Sequence, residues 1–212
     1  MGLISLLYKD PVTFVFLAVL LLYSVIAHEV AHGWVAYLFG DDTAKRSGRL
    51  TLAPLPHLSL IGTLALFLVG FGWAKPVPVN YARLSHGRFG FFSVSLAGCV
   101  TNILIAAVAI LLFQFENIRA VPLLERVLPI VVMINVMLGA LNLLPIPPLD
   151  GSKALLSLLP KKAQLSLARI EPYGFGILIV LILSGLLQPV ILFTQNLLIT
   201  IIILTLKTLH LF

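Results

Sequence analysis

Long apolar blocks alternate along the chain with short polar stretches, and the blocks have helical rather than strand length. The first opens at Asp10-Pro11, a capping carboxylate followed by proline at the first helical position, and closes at Gly40. Residues 11–39 would form a helix about 44 Å long, more than the ~30 Å hydrocarbon core of a bilayer, so it must tilt or protrude. Residues 41–57, "DDTAKRSGRLTLAPLPH", turn polar, then alternate, then break at prolines, which predicts an interfacial loop with a short strand over "GRLTLA". Residues 58–73 are apolar but short and glycine-interrupted, the pattern of a segment that dips into the membrane and returns. After the loop "AKPVPVNYARLSHGR" come spans at 89–113 and 127–144, and a polar, basic stretch from Ser152 to Pro172. The last apolar block, 174–206, is split by Gln188-Pro189 into what read as two short helices. The fold expected is an all-α membrane bundle of about five to six transmembrane helices, with a re-entrant segment and a short strand region. One domain covers residues 1–212, its catalytic core at about 11–160 and a helical block at 174–206.

Composition turns this pattern into a solvent assignment. The chain is 60% hydrophobic and 10% charged, with mean hydropathy +1.10, too apolar for a soluble domain of 212 residues. The net charge of +6 is scattered between apolar spans, so it reads as loop charge facing lipid headgroups and not as a nucleic-acid footprint. A single cysteine, Cys99, excludes an internal disulfide and reads as a small buried hydrophobe. The N-terminus lacks a small-residue cleavage site and is taken as a retained membrane helix rather than a signal peptide.

Polar residues inside apolar spans carry the chemistry, because they are costly there unless something compensates them. The first span contains "AHEVAH", an H-E-x-x-H pattern. Four residues apart on a helix, His28 and His32 share one face and can bind one zinc ion at about 2.0–2.1 Å each. Glu29 between them is suited to take a proton from a metal-activated water and pass it to a leaving amine. A catalytic zinc needs a third protein ligand and an open position. Of the eight acids, only Asp150 ends an apolar span inside an uncharged, proline-broken motif, "NLLPIPPLDG", where the chain can unwind and aim a carboxylate inward. His57, in "PLPHLSLIG", lies just before the short apolar dip and is a further candidate near the metal or a substrate carbonyl.

Taken together, "AHEVAH", "SLAG..TN" and "NLLPIPPLDG", in this order, resemble the site-2 protease family of intramembrane zinc metalloproteases. "GWAKPVPVN" fits the compact prokaryotic branch of that family, and the resemblance covers roughly residues 20–160. It implies one Zn2+ per chain held by His28, His32 and Asp150, with Glu29 as general base. It also implies that Asn142 holds the backbone of a transmembrane protein substrate, a task an amide suits through its donor and acceptor. The family's middle-span motif A-G-P-x-x-N appears here as Ala97-Gly98-Cys99-Val100-Thr101-Asn102, without the proline. Asn102 is carried over as a substrate-contact candidate on that motif, and the small residues permit close helix approach. The activity implied is cleavage of peptide bonds within or near transmembrane segments. A zinc carrier would need several polar stations across the bilayer, and the chain has one cluster. A dead, helix-binding homologue predicts a damaged motif, whereas every catalytic residue type is present.

For His28, His32 and Asp150 to meet, their helices must run parallel, which requires an odd number of crossings between them. Residues 89–113 cross, so 58–73 should be re-entrant. Positive charge agrees with this. A re-entrant segment gathers Lys45, Arg46, Arg49, Lys75, Arg83, Arg88 and the basic residues after Asp150 on one side, leaving Lys9, Arg119 and Arg126 on the other. The protein then lies in the cell membrane with its N-terminus outside and its metal nearer the cytoplasmic face. No oligomeric state is implied.

Overall fold

A computed structural model describes residues 8–60, 62, 74–160, 162–164 and 169–211. Six helices organise it: α1 (Pro11–Leu38), α2 (Gly87–Gln114), α3 (Pro122–Asn142), α4 (Asp150–Leu158), α5 (Glu171–Leu183) and α6 (Gln188–Thr208). Single helical turns at Thr43–Arg46 and Glu116–Arg119 sit in the connections. Among the described residues, α1, α2, α3 and α6 are long and apolar enough to cross a membrane. The two 28-residue helices reach about 42 Å and the two 21-residue ones about 31 Å.

Local chemistry sets the ends. The Asp10 side chain caps α1, accepting from the Thr13 backbone N–H at 3.0 Å and its hydroxyl at 2.6 Å, with Pro11 at the first helical position. At the other end Gly40 takes φ +96°, and Asp41 N–H bonds back to Ala36 at 2.9 Å, the left-handed close that glycine permits. Pro122 opens α3, and Pro129 inside it withholds a backbone donor and favours a bend.

α2 is the centre of the bundle. Apart from Val94 and Asn102, its buried face is built of small residues such as Gly90, Ala97, Gly98 and Ala106, which let neighbouring backbones approach closely. α1 packs against it antiparallel, with His32 opposite Val94 and His28 opposite Asn102. α3 runs parallel to α1: Ser24 meets Asn135, while Asp10 and Val12 share a cavity wall with Pro122 and Arg126. α6 closes the far side through a cluster of Ala106, Val136, Ala140, Leu198, Ile202 and Leu206.

Several expectations change. Residues 48–53 form no strand, and no strand occurs among the described residues. Local contacts take groups a ladder would need: Arg49 N–H bonds to Ala44, and the Thr51 carbonyl accepts from the His57 ring. The C-terminal block is not two short helices but one of 13 residues, too short to span at about 20 Å, and one of 21. The described residues hold four helices of spanning length plus that shorter apolar one. The basic stretch after Asp150 starts with an ordered helix, α4. Residues 61 and 63–73, most of the expected re-entrant segment, lie outside the described residues. The residues on either side of it meet, Lys75 N–H donating to the His57 carbonyl at 2.7 Å, and further out the backbone N–H and hydroxyl of Ser85 both donate to the Phe39 carbonyl, at 2.7 and 2.8 Å.

Candidate metal centre

Three polar side chains converge where α1, α2 and the start of α4 meet. His28 and His32, one turn apart on α1, point into the bundle, both under a tenth exposed. Asp150 reaches them because α3 ends at Asn142 and the following residues turn tightly. Ile146 N–H bonds to Leu144, and Leu149 N–H to Ile146, while Pro147 and Pro148 have no N–H to leave unpaired. Asp150 is thus the first residue of α4, and Gly151 behind it lies so close to the end of α3 that an added Cβ would stand 2.5 Å from the Leu144 carbonyl oxygen.

Asp150 Oδ2 lies 2.9 Å from His28 Nε2 and 3.0 Å from His32 Nε2, and the two Nε2 atoms are 3.2 Å apart. Ligands on a tetrahedral zinc ion at about 2.0–2.1 Å would be about 3.3 Å from one another. The triangle therefore has the size of a metal site, slightly contracted. Its protons fit a cation as well. His28 Nδ1 faces the Asn102 side-chain oxygen at 2.7 Å, and His32 Nδ1 faces the Val94 carbonyl at 2.7 Å. Both partners only accept, so both Nδ1 atoms carry hydrogen. In neutral rings both Nε2 atoms are then bare lone pairs, aimed at each other and at a carboxylate oxygen. Three converging lone pairs need a positive centre, and back-bonded imidazoles of this kind are the usual support of a metal ligand. Among the described residues this is the one group of three or more histidines, cysteines and acids arranged to hold an ion.

Glu29 stands outside the triangle. Half-buried, it accepts a hydrogen bond at 3.0 Å from the backbone N–H of Val77, in the connection before α2. Lys153, one turn into α4, approaches Asp150 Oδ1 at 3.5 Å. Asn142 is half-buried at the end of α3; its amide donates to Leu138 at 3.1 Å, leaving its oxygen with no hydrogen bond among the described residues.

The other candidates lie elsewhere. Asn102 is fully buried, with one end of its amide on His28 and the other on Asn135 at 2.8 Å. Both ends of its amide are thus taken by protein partners, on the side of His28 away from Asp150. His57 is also fully buried, but its ring meets the Thr51 carbonyl at 2.8 Å and does not join the three-donor group. Sequence reasoning missed Ser24 and Asn135, which bond to each other at 2.9 Å behind Asn102. The signal was available, since both are polar residues inside apolar spans.

Helices of membrane-spanning length around a buried three-donor centre define a helical membrane protein of metalloenzyme type. The profile of Peptidase family M50 matches residues 119–185. The chain is 38% identical over 178 residues to the protein named "Putative zinc metalloprotease YwhC" of Bacillus subtilis, covering 81% of each chain. It is 33% identical to "Putative zinc metalloprotease Rip2" of Mycolicibacterium smegmatis, over 79% of this chain and 66% of the relative. It is 27% identical to a zinc metalloprotease of Methanocaldococcus jannaschii, over 81% of this chain and 43% of that longer relative. The chain belongs to Peptidase family M50, the site-2 protease family. No solved structure matches it.

Proposed function

We propose that this protein is an intramembrane zinc metalloprotease in which His28, His32 and Asp150 hold one zinc ion and Glu29 is the general base. The observation that carries the reading is the convergence of three buried metal-ligating side chains, with the glutamate of an H-E-x-x-H helix beside them but not among them. Zinc held there would supply Lewis-acid polarisation of the scissile carbonyl and of the attacking water. Glu29 accepts the proton of that water and delivers it to the amine nitrogen as the C–N bond breaks. The free oxygen of Asn142 is available to accept an N–H from an extended substrate backbone.

The substrate class follows from where the site lies. His28 and His32 sit within an apolar helix and Asp150 reaches them at the same depth, so the cleaved bond belongs to a segment that can enter the membrane. Such a segment hides its carbonyls in its own helix and must unwind before it can be cut. The positive charge near the metal end supports a cytoplasmic-facing site in the cell membrane.

The test is metal content alongside cleavage of a transmembrane substrate. Purified protein should carry one zinc per chain. His28→Ala, His32→Ala and Asp150→Ala should each lose it, whereas Glu29→Gln should keep it and cleave nothing. Zinc retained in Asp150→Ala, or wild-type cleavage by Glu29→Gln, would overturn the assignment.

A further inference from the structure

Behind His28 a line of buried amides runs away from the metal donors, and its direction can be read from its far end. Asn135, on α3 and fully buried, donates from its side-chain nitrogen to the Val131 carbonyl at 2.9 Å and lies 2.9 Å from the Ser24 hydroxyl. A carbonyl can only accept, so the NH2 end of Asn135 must face Val131. Its oxygen is thereby turned towards Asn102 and accepts from the Asn102 nitrogen at 2.8 Å. That fixes Asn102 in turn: its NH2 is spent on Asn135, so its oxygen faces His28 Nδ1 at 2.7 Å. An oxygen there requires hydrogen on Nδ1 and leaves the Nε2 lone pair pointing at Asp150 and His32.

We infer that Asn135 is a positioning residue for the metal centre: anchored on the Val131 carbonyl, it orients the Asn102 amide and so holds His28 in the Nδ1–H tautomer that can bind metal through Nε2. The inference rests on the reading of His28 as a metal ligand. Without Asn135, the Asn102 amide loses the acceptor that fixes it. It can then rotate to offer its NH2 to Nδ1, which stabilises the opposite tautomer, with hydrogen on Nε2 where the ion would bind. Both amides are fully enclosed, so no bulk water substitutes for the missing partner. Ser24 is secondary, because the Asn135 nitrogen keeps the Val131 carbonyl when the hydroxyl is removed.

The experiment is zinc affinity of the full-length protein in detergent, by titration against a competing chelator, for wild type, Asn135→Leu, Ser24→Ala, Asn102→Leu and Asn102→Leu/Asn135→Leu. Loss of an outer partner of a ligating histidine typically weakens metal affinity 10- to 100-fold. Asn135→Leu should fall by about tenfold, at the lower end of that range because it acts through Asn102, and Ser24→Ala by less than about threefold. In the Asn102→Leu background the Asn135→Leu effect should vanish, because Asn135 acts only through Asn102. Ring-nitrogen NMR of metal-free protein should show His28 moving from the Nδ1–H form towards a mixture in Asn135→Leu. If Asn135→Leu does not fold, Asn135→Ala removes the same hydrogen bonds with fewer atoms. Wild-type affinity in the single variant, or full additivity in the double one, would overturn the inference. Absence of zinc binding by wild type would instead overturn the metal reading itself.

Discussion

At Gly98 a missing methyl group makes the site possible. A Cβ there would stand 2.5 Å from both ring nitrogens of His28, closer than real contacts allow. Gly98 lies in the middle of α2, whose backbone is locked in its own hydrogen bonds, so only the imidazole could yield. Gly98→Ala should leave the helix intact, since alanine is the better helix former by about 1 kcal/mol. It should nonetheless displace His28 from Asn102 and weaken zinc binding by about tenfold or more. Gly176→Ala on α5, where nothing lies within 4 Å of the added carbon, is the matched control and should bind zinc as wild type does. Equal affinity in the two variants would show that the ring has room. Legibility at this scale divides by residue. His28, Glu29 and His32 could be picked out because their spacing puts two imidazoles on one face, and Asp150 because proline-broken helix ends free a carboxylate. Asn102 was visible as a motif residue, but its direction was not. Only the α2–α3 contact sets its amide, with the nitrogen on Asn135.

Among the elements, the connection at residues 74–80 decides where Glu29 is held. Prolines at 76 and 78 remove alternate donors, and three of the remaining N–H groups pin the connection. Lys75 N–H donates to His57 at 2.7 Å, Val77 N–H to Glu29 at 3.0 Å and Asn80 N–H to Asp41 at 2.6 Å. The sequence identified this stretch as a loop, but the partners of its amides come from three distant segments and leave no local pattern. The same blindness explains the strand expected at 48–53: alternation was present, yet a strand needs a neighbour, and none is described there. Asp41 is the pin open to a pH test. Burial pushes its carboxyl up, but the Thr43 hydroxyl, the Asn80 and Thr43 backbone N–H groups and the charge of Arg83 outweigh that and lower it. A carboxyl lowered on folding stabilises the fold above its unfolded value of about 3.9, and that contribution fades as pH falls through the folded value. Asn lacks the charge at every pH. The thermal midpoint of wild type should therefore exceed that of Asp41→Asn by a constant margin from pH 7 to 5, and the margin should shrink below about pH 4. A margin unchanged down to pH 3 would remove the carboxylate from this role.

For the whole molecule, the direction of the helices carries the argument about membrane sidedness. α1 and α2 are antiparallel and α3 returns parallel to α1, so Asp150, following α3, arrives at the same depth as His28 and His32. The Ser85–Phe39 hydrogen bonds put the end of α1 and the approach to α2 at one end of the bundle, while the 115–121 connector lies at the other, beside Asp10. Sidedness then reduces to which end is inside, and the proposal made above from the positive-inside rule puts the metal end in the cytoplasm. Cysteine labelling with a membrane-impermeant reagent on intact cells can read this directly in a Cys99→Ala background, since Cys99 is the only native thiol and is buried. A cysteine at Asn117, exposed in the 115–121 connector, should label from outside. Cysteines at Ser47 and Ser85, exposed at the metal end, should be protected until the membrane is permeabilised. Labelling of Ser47 and Ser85 with protection of Asn117 would turn the molecule over and put the metal on the external side. Labelling of only one of Ser47 and Ser85 would separate two residues that the end of α1 brings together. It would mean that residues 58–73 cross the bilayer, and the antiparallel pairing of α1 with α2 would have to be abandoned.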